Sequence, residues 1–252
     1  MNNKEKNTRI DTEIRHFQKD SMFWHDPNGP FAPLHRINPV RMTFIRDLVC
    51  DHKQVPKDTA TPFENMQILD VGCGGGLLCE AMCRLGGDII GFDADEQAIE
   101  IARQHAADMG LKIDYHAKTI EAFTLNHPIK QFDMVTALEI IEHVSDVPFF
   151  LSELAQRVKP GGILMISTLN KTLKSFLLGK IAAEYILGLV PPGTHTWDQF
   201  VKPSALTHAL ETAGCTPIRI SGIVFNVKTG DFHLNPRDVD VNYIMAFEKR
   251  AI

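Results

Sequence analysis

Apolar positions along this chain alternate between two kinds of run. Short, nearly unbroken apolar stretches read as buried strands: Met66 to Val71, Asp88 to Phe92, Phe132 to Leu138 and Ile163 to Thr168, with Lys112 to His116 as a short third strand. Between them lie segments with three-and-four spacing, which predict helices with one packed face. These carry Leu77, Leu78, Ala81, Met82 and Leu85, then Ala98, Ile101, Ala102 and Met109, then Leu151, Leu154, Ala155 and Val158. Asp95 and Glu96 suit the positive end of the second helix, Gly110 ends it, and Lys159-Pro160-Gly161-Gly162 stops the third. Strict alternation of strand and helix predicts an α/β fold with a parallel, doubly wound sheet.

The pattern is different on either side of this core. Residues 1 to about 12 are polar and have nothing to bury. Ile14, Phe17, Met22, Phe23 and Trp24 then predict a short helix with a buried side, broken at Asp26-Pro27-Asn28-Gly29-Pro30. Asn38 as cap and Pro39 as first residue predict a second helix, from Val40 to about Asp51, carrying Arg41 and Arg46. Lys53 to Asn65 reads as a connector, so residues 1–65 form a helical extension ahead of a main domain at 66–252. A final helix is expected at Ser204 to Ala213. Before it, at about 171–202, lies an insertion whose segment Ser175 to Val190 is almost wholly apolar, with Lys180 and Glu184 on one face. It is short for a membrane span, which needs ~20 residues, and reads as an interfacial or lid helix.

Composition narrows the function classes. A formal charge of -5 supplies no basic surface for nucleic acid. Five cysteines without paired C-x-x-C spacing read as reduced thiols. The opening MNNKEKNTR lacks the apolar stretch of a secretory signal, so a cytoplasmic location is expected.

Two stretches carry candidate chemistry. Gly72, Gly74 and Gly76 follow the first strand, where they allow left-handed turns and close backbone approach to a ligand. Leu77 stands where a dinucleotide fingerprint wants its third glycine, and Leu77-Leu78 stands where a P-loop wants Lys-Ser or Lys-Thr. Asp93, about 20 residues on, can bind ribose hydroxyls. Together these suggest an unphosphorylated adenosine. Glu139-Ile140-Ile141-Glu142-His143 begins where the fourth strand ends, and its three polar side chains converge if the chain makes a helical turn. The set suits a magnesium ion held by Glu139, Glu142 and His143, or catalysis by Glu139 and His143 with the imidazole as general base.

The motifs LDVGCGGG, GFDAD, FDMVTALEIIEHV and VKPGGILMIST resemble those of class I S-adenosylmethionine-dependent methyltransferases. PLHRINPVRMTFI, STLNKT, AEYILGLVPPGTHTWDQFVKP and DVDVNYIMAF are similar to segments of the ubiquinone-biosynthesis O-methyltransferases, which act on polyprenyl catechols. The resemblance implies a seven-stranded mixed sheet, with Ile218 to Val224 and Asn242 to Glu248 as closing strands, the last antiparallel. It implies S-adenosylmethionine as cosubstrate, held by Arg41, Asp70, Gly72, Gly74, Gly76, Asp93 and Leu138, and it makes His195 a second base candidate. Lys118 and Thr119 stand where many class I enzymes carry the acid that meets adenine, which leaves that contact unassigned. The implied partners are a polyprenyl catechol or quinol and other enzymes of that pathway. A lipid-confined substrate also implies peripheral association with the inner face of the membrane, where Lys171, Lys174 and Lys180 would favour anionic lipid. A non-catalytic lipid-binding protein on the same fold is the alternative, as is a methyltransferase acting on carbon or on another small molecule.

Overall fold

The computed structural model describes residues 20–126, 130–176 and 199–251. Five strands run parallel, as the alternation of strands and helices predicts: Gln67–Val71 (β1), Asp88–Asp93 (β2), Asp114–Ala117 (β3), Phe132–Leu138 (β4) and Val158–Leu169 (β5). Cys215–Asn226 (β6), Asp231–Asn235 (β7) and Asn242–Lys249 (β8) complete a single sheet in the order β3-β2-β1-β4-β5-β8-β6-β7. The helices are Ala32–Lys53 (α1), Leu77–Arg84 (α2), Glu96–Asp108 (α3), Ile120–Asn126 (α4), Val147–Gln156 (α5) and Pro203–Thr212 (α6).

Alternation along the strands divides the core between the two faces of the sheet. Ile68, Met134, Met165 and Ile244 pack with Phe44, Ile45 and Leu48 of α1, Met82 of α2 and Ile99 of α3. Leu69, Val135, Leu164 and Tyr243 face the other way, onto Phe123 of α4, Leu151 and Leu154 of α5 and Leu206 of α6. Each such fully buried side chain stabilises the fold by about 1.5–3 kcal/mol, and the sheet is covered on both sides as a doubly wound fold requires.

β8 is antiparallel to both its neighbours, β5 and β6. Its register pairs Asn242 with Leu169, so its first residue lies at the carboxyl edge of the parallel strands. Ligands of open α/β sheets bind along that edge.

The structure corrects several expectations. Among the described residues the sheet has eight strands, because β6 folds back at Gly230 (φ 75) into β7, a strand too exposed to show an apolar run. α1 begins at Ala32 rather than at an Asn38 cap, and Pro39 lies inside it. The buried stripe of Ile37, Arg41, Phe44 and Ile45 continues across the proline, and that packing offsets the ~3 kcal/mol an interior proline costs. Asn38 instead donates its amide to Leu77 O at 3.1 Å. Val158 belongs to β5 and pairs with Phe132, and the glycines after it form an irregular stretch of the strand. α4 is too short for its spacing to repeat. Ser21–Phe23 is a single 3-10 turn with Met22 and Phe23 exposed, and Trp24 turns inward to stack on Phe31 at 3.9 Å. Lys174, on the surface, pairs with Asp238 and Asp240 at 3.0 and 3.2 Å. His195, Lys180 and the run from 177 to 190 lie outside the described residues. Among the described residues, no helix is long and apolar enough to cross a membrane.

Candidate active site

β1 opens into the glycine turn, and β2 holds it in shape. Gly72 and Cys73 donate their N–H groups to Phe92 O at 2.8 and 2.9 Å. Gly74 donates to Asp93 Oδ2 and Asp95 to Asp93 Oδ1, both at 2.8 Å. Asp93 therefore organises the turn, and each oxygen keeps a second lone pair for a further donor. Burial raises its pKa, and the two N–H donors oppose that shift. Gly72 and Gly74 have φ values of 78 and 51, a region costly to side-chain-bearing residues. A Cβ at Gly72 would collide with Ile140, and one at Gly74 or Gly75 with the Trp24 indole. Trp24 thus covers the turn. Its Nε1 is buried without an acceptor, while its carbonyl accepts from His35 Nε2 at 2.8 Å.

Asp70, at the end of β1, faces inward. Its oxygens accept from Thr136 Oγ1 at 2.6 Å and from Cys79 Sγ at 3.2 Å, which ties β1 to β4 and α2. Burial pushes its carboxyl up to about 6, against the pull of those two donors.

At the end of β4 the backbone turns sharply. Leu138 is 9% exposed, and Glu139 adopts φ 53. A non-glycine residue held there costs of order 1–3 kcal/mol, and such strain collects at functional sites. The Glu139 carboxylate is gripped on three sides. Ser167 Oγ donates to it at 2.7 Å, Asn242 Nδ2 reaches both oxygens at 3.1 Å, and Arg41 Nη2 pairs with it at 3.0 Å. Arg41 is itself buried, with Nε lacking an acceptor. The chain then makes the 3-10 turn Ile141–His143. Glu142 is buried there and accepts from Thr168 Oγ1 at 2.8 Å. Desolvation first, and the Glu139 charge second, raise its pKa to about 7, while His143 opposes the shift. His143 is half-buried on the same turn.

The structure therefore brings Arg41, the glycine turn and the Glu139–His143 segment together along one edge, with Ile140 touching Gly72. It does not gather Glu139, Glu142 and His143 into a compact ligand set. Among the described residues, the set whose ligand atoms all lie within 4.8 Å of one another is His25, Glu80 and His105.

Residues 44–220 match a family model described as a methyltransferase domain. A ubiquinone biosynthesis O-methyltransferase of Chelativorans sp. (strain BNC1) is 44% identical over 243 residues, covering 96% of this chain and 95% of that protein. The chain belongs to the ubiquinone biosynthesis O-methyltransferases. Another protein of that name, from Methylobacterium nodulans (strain LMG 21967 / CNCM I-2342 / ORS 2060), is 43% identical over 237 residues, 94% of each chain. The solved magnesium protoporphyrin IX methyltransferase (ChlM) of Synechocystis PCC 6803 with bound SAH superposes at a TM-score of 0.65. It is 16% identical over 94% of each chain, so this likeness concerns the fold.

Four residues along this edge escape sequence reasoning. Ser167 and Thr168 end β5, where the carboxyl-edge rule could have flagged them. Asn242 reaches Glu139 across 103 positions, and only the direction of β8 places it there. The apolar pattern places Trp24 on the packed side of a short helix. Its cover over the glycine turn has no local signal.

Proposed function

We propose that the chain transfers the methyl group of S-adenosylmethionine to a phenolic oxygen of a polyprenylated catechol or hydroquinone, at the edge formed by Gly72–Gly76 and Glu139–His143. The observation that carries this reading is Glu139: a strained residue at a strand end, its carboxylate held by Arg41, Ser167 and Asn242 beside the cosubstrate turn.

S-adenosylmethionine supplies a sulfonium methyl, so the protein has to orient the acceptor oxygen and take its proton. Asp93 binds the ribose, and Leu138 lines the cosubstrate. The orphaned Arg41 Nε receives the methionyl carboxylate. His143 accepts the phenol proton, and the neighbouring Glu142 steadies the resulting imidazolium. Glu139 orients the second ring hydroxyl. Asp70 acts from below, by fixing the strand end.

The donor types of Glu139, Glu142 and His143 suit a hard divalent ion, but the structure holds the three apart, so the turn has to draw them together to bind one. The Glu139 charge raises the proton affinity of Glu142, and Asn242 Oδ1 is a buried oxygen without a donor. Glu139, Glu142 and His143 would hold magnesium, which would supply positive charge to favour the phenolate. The substrate is met at the membrane surface, through the apolar run that begins at the exposed Leu173 and Phe176.

Incubation with methyl-labelled S-adenosylmethionine and a short-chain polyprenyl catechol should place label on oxygen as an aryl methyl ether. Cosubstrate binding without transfer would favour a lipid-binding module, and a ring methyl in the product would mean carbon methylation.

A further inference from the structure

Three side chains that take no part in this mechanism meet behind the glycine turn. His25 follows Trp24 in the segment covering the turn, Glu80 lies in α2, and His105 lies in the last turn of α3. One ligand atom from each lies within 4.8 Å of the other two. The two imidazoles are stacked, with centroids 3.4 Å apart and planes 8° from parallel. His105 Nδ1 is 2.6 Å from Glu80 Oε1, and the other Glu80 oxygen pairs with Arg84 at 3.0 Å. Glu80 is only 3% exposed, so its charge is committed to these neighbours. His25 Nε2 lies 2.8 Å from Gly75 O. A carbonyl only accepts, so Nε2 carries the proton and Nδ1 keeps its lone pair. A ring oriented by a backbone carbonyl, with its other nitrogen left open, is the usual state of a metal-binding histidine.

We propose that His25, Glu80 and His105 form a binding site for a transition-metal ion of zinc type, which clamps the Trp24–His25 cover to the two helices behind the glycine turn. Two imidazoles and one carboxylate suit zinc, with water in the fourth position, whereas magnesium takes mainly oxygen ligands. Ligand bonds of about 2.0–2.2 Å set neighbouring donors roughly 3.3 Å apart. The His105–Glu80 pair now shares a proton at a shorter distance, and the ion takes the place of that proton as the pair spreads. Imidazole lone pairs lie in the ring plane, so the stacked rings must tilt toward each other to reach one ion. Burial, and then the neighbouring His105, hold the His25 pKa below the ordinary imidazole value.

The test is zinc titration calorimetry on the tag-free, chelator-stripped full chain, with the cobalt(II) visible spectrum as a second reading of the ligand field. Wild type should bind one equivalent, and His143→Ala should bind it equally well, which separates this site from the Glu139 cluster. His25→Ala and His105→Gln should each lose at least about 10-fold in affinity, the lower end of the range for disturbing even a partner of a metal ligand. Glutamine at 105 can still donate to Glu80, so that variant should keep its far-ultraviolet circular dichroism and its S-adenosylmethionine affinity. Zinc should raise the melting temperature of wild type and leave that of His105→Gln unmoved. Equal zinc affinity in wild type and His105→Gln, or no stoichiometric binding by folded wild type, overturns the proposal.

Discussion

Replacing Asp70 by Asn tests whether the end of β1 carries a cost built into the cosubstrate site. Asp70 is 2% exposed, and burial outweighs the donors Thr136 and Cys79 to move its carboxyl from 3.8 to about 6. Between those values the folded chain holds a proton that the unfolded chain has released. Stability from this group is therefore full below about pH 4 and is lost as pH rises through 6. At 1.36 kcal/mol per pH step the loss is roughly 3 kcal/mol. Asn has the same shape and no charge, and its carbonyl can accept from Cys79 while its amide donates to Thr136 Oγ1. Urea unfolding of both proteins from pH 4 to pH 7.5 reads the effect directly. Groups that titrate in both chains without touching Asp70, such as Glu142, cancel in the difference. That difference should move by roughly 3 kcal/mol in favour of Asp70→Asn across the window. A flat difference would mean that Thr136 and Cys79 hold Asp70 ionised throughout, and the burial argument would fail.

Other expectations are separable. Asp93→Ala should weaken S-adenosylmethionine binding by about 1–3 kcal/mol, the scale for hydrogen bonds to a charged group; an unchanged affinity by calorimetry in a folded variant would remove the ribose role. Exhaustive chelation should suppress methylation while leaving cosubstrate binding intact, and Glu142→Gln should do the same; full activity in metal-free protein would leave His143 acting alone. Binding to anionic vesicles should weaken with salt without vanishing, because charge attraction is screened and apolar insertion is not. Deleting residues 175–190 should abolish vesicle binding, and retained binding in that deletion would refute the interfacial role.

The parallel half of the sheet was legible because β1, β2, β4 and β5 are buried on both faces and leave continuous apolar runs, and the alternation with helices supplied the short edge strand β3. The glycine turn and Asp93 were legible because their neighbours in space are near neighbours in sequence. Asn242 was hidden because its pairing with Glu139 depends on the direction of β8, which apolar pattern does not encode. α1 was misread for a local reason. Pro39 suggests a helix start, yet the stripe from Ile37 to Val49 is buried as one face, and tertiary packing overrode the proline. The Glu139–His143 segment announced its residue types but not their partners, since Arg41, Ser167 and Thr168 come from two other elements.

The sheet order has a consequence for a chain made from one end to the other. β6 and β7 emerge from the ribosome before β8, yet they join the sheet only through it. Until Asn242–Lys249 has been synthesised, β5 and β6 each present an unpaired edge, open to other nascent chains. A message cut short before codon 242 would therefore yield a product with an intact glycine turn and no Asn242 to hold Glu139, with its two halves of sheet unable to meet. Such a fragment should be drawn to chaperones or proteases rather than persist as a weak enzyme.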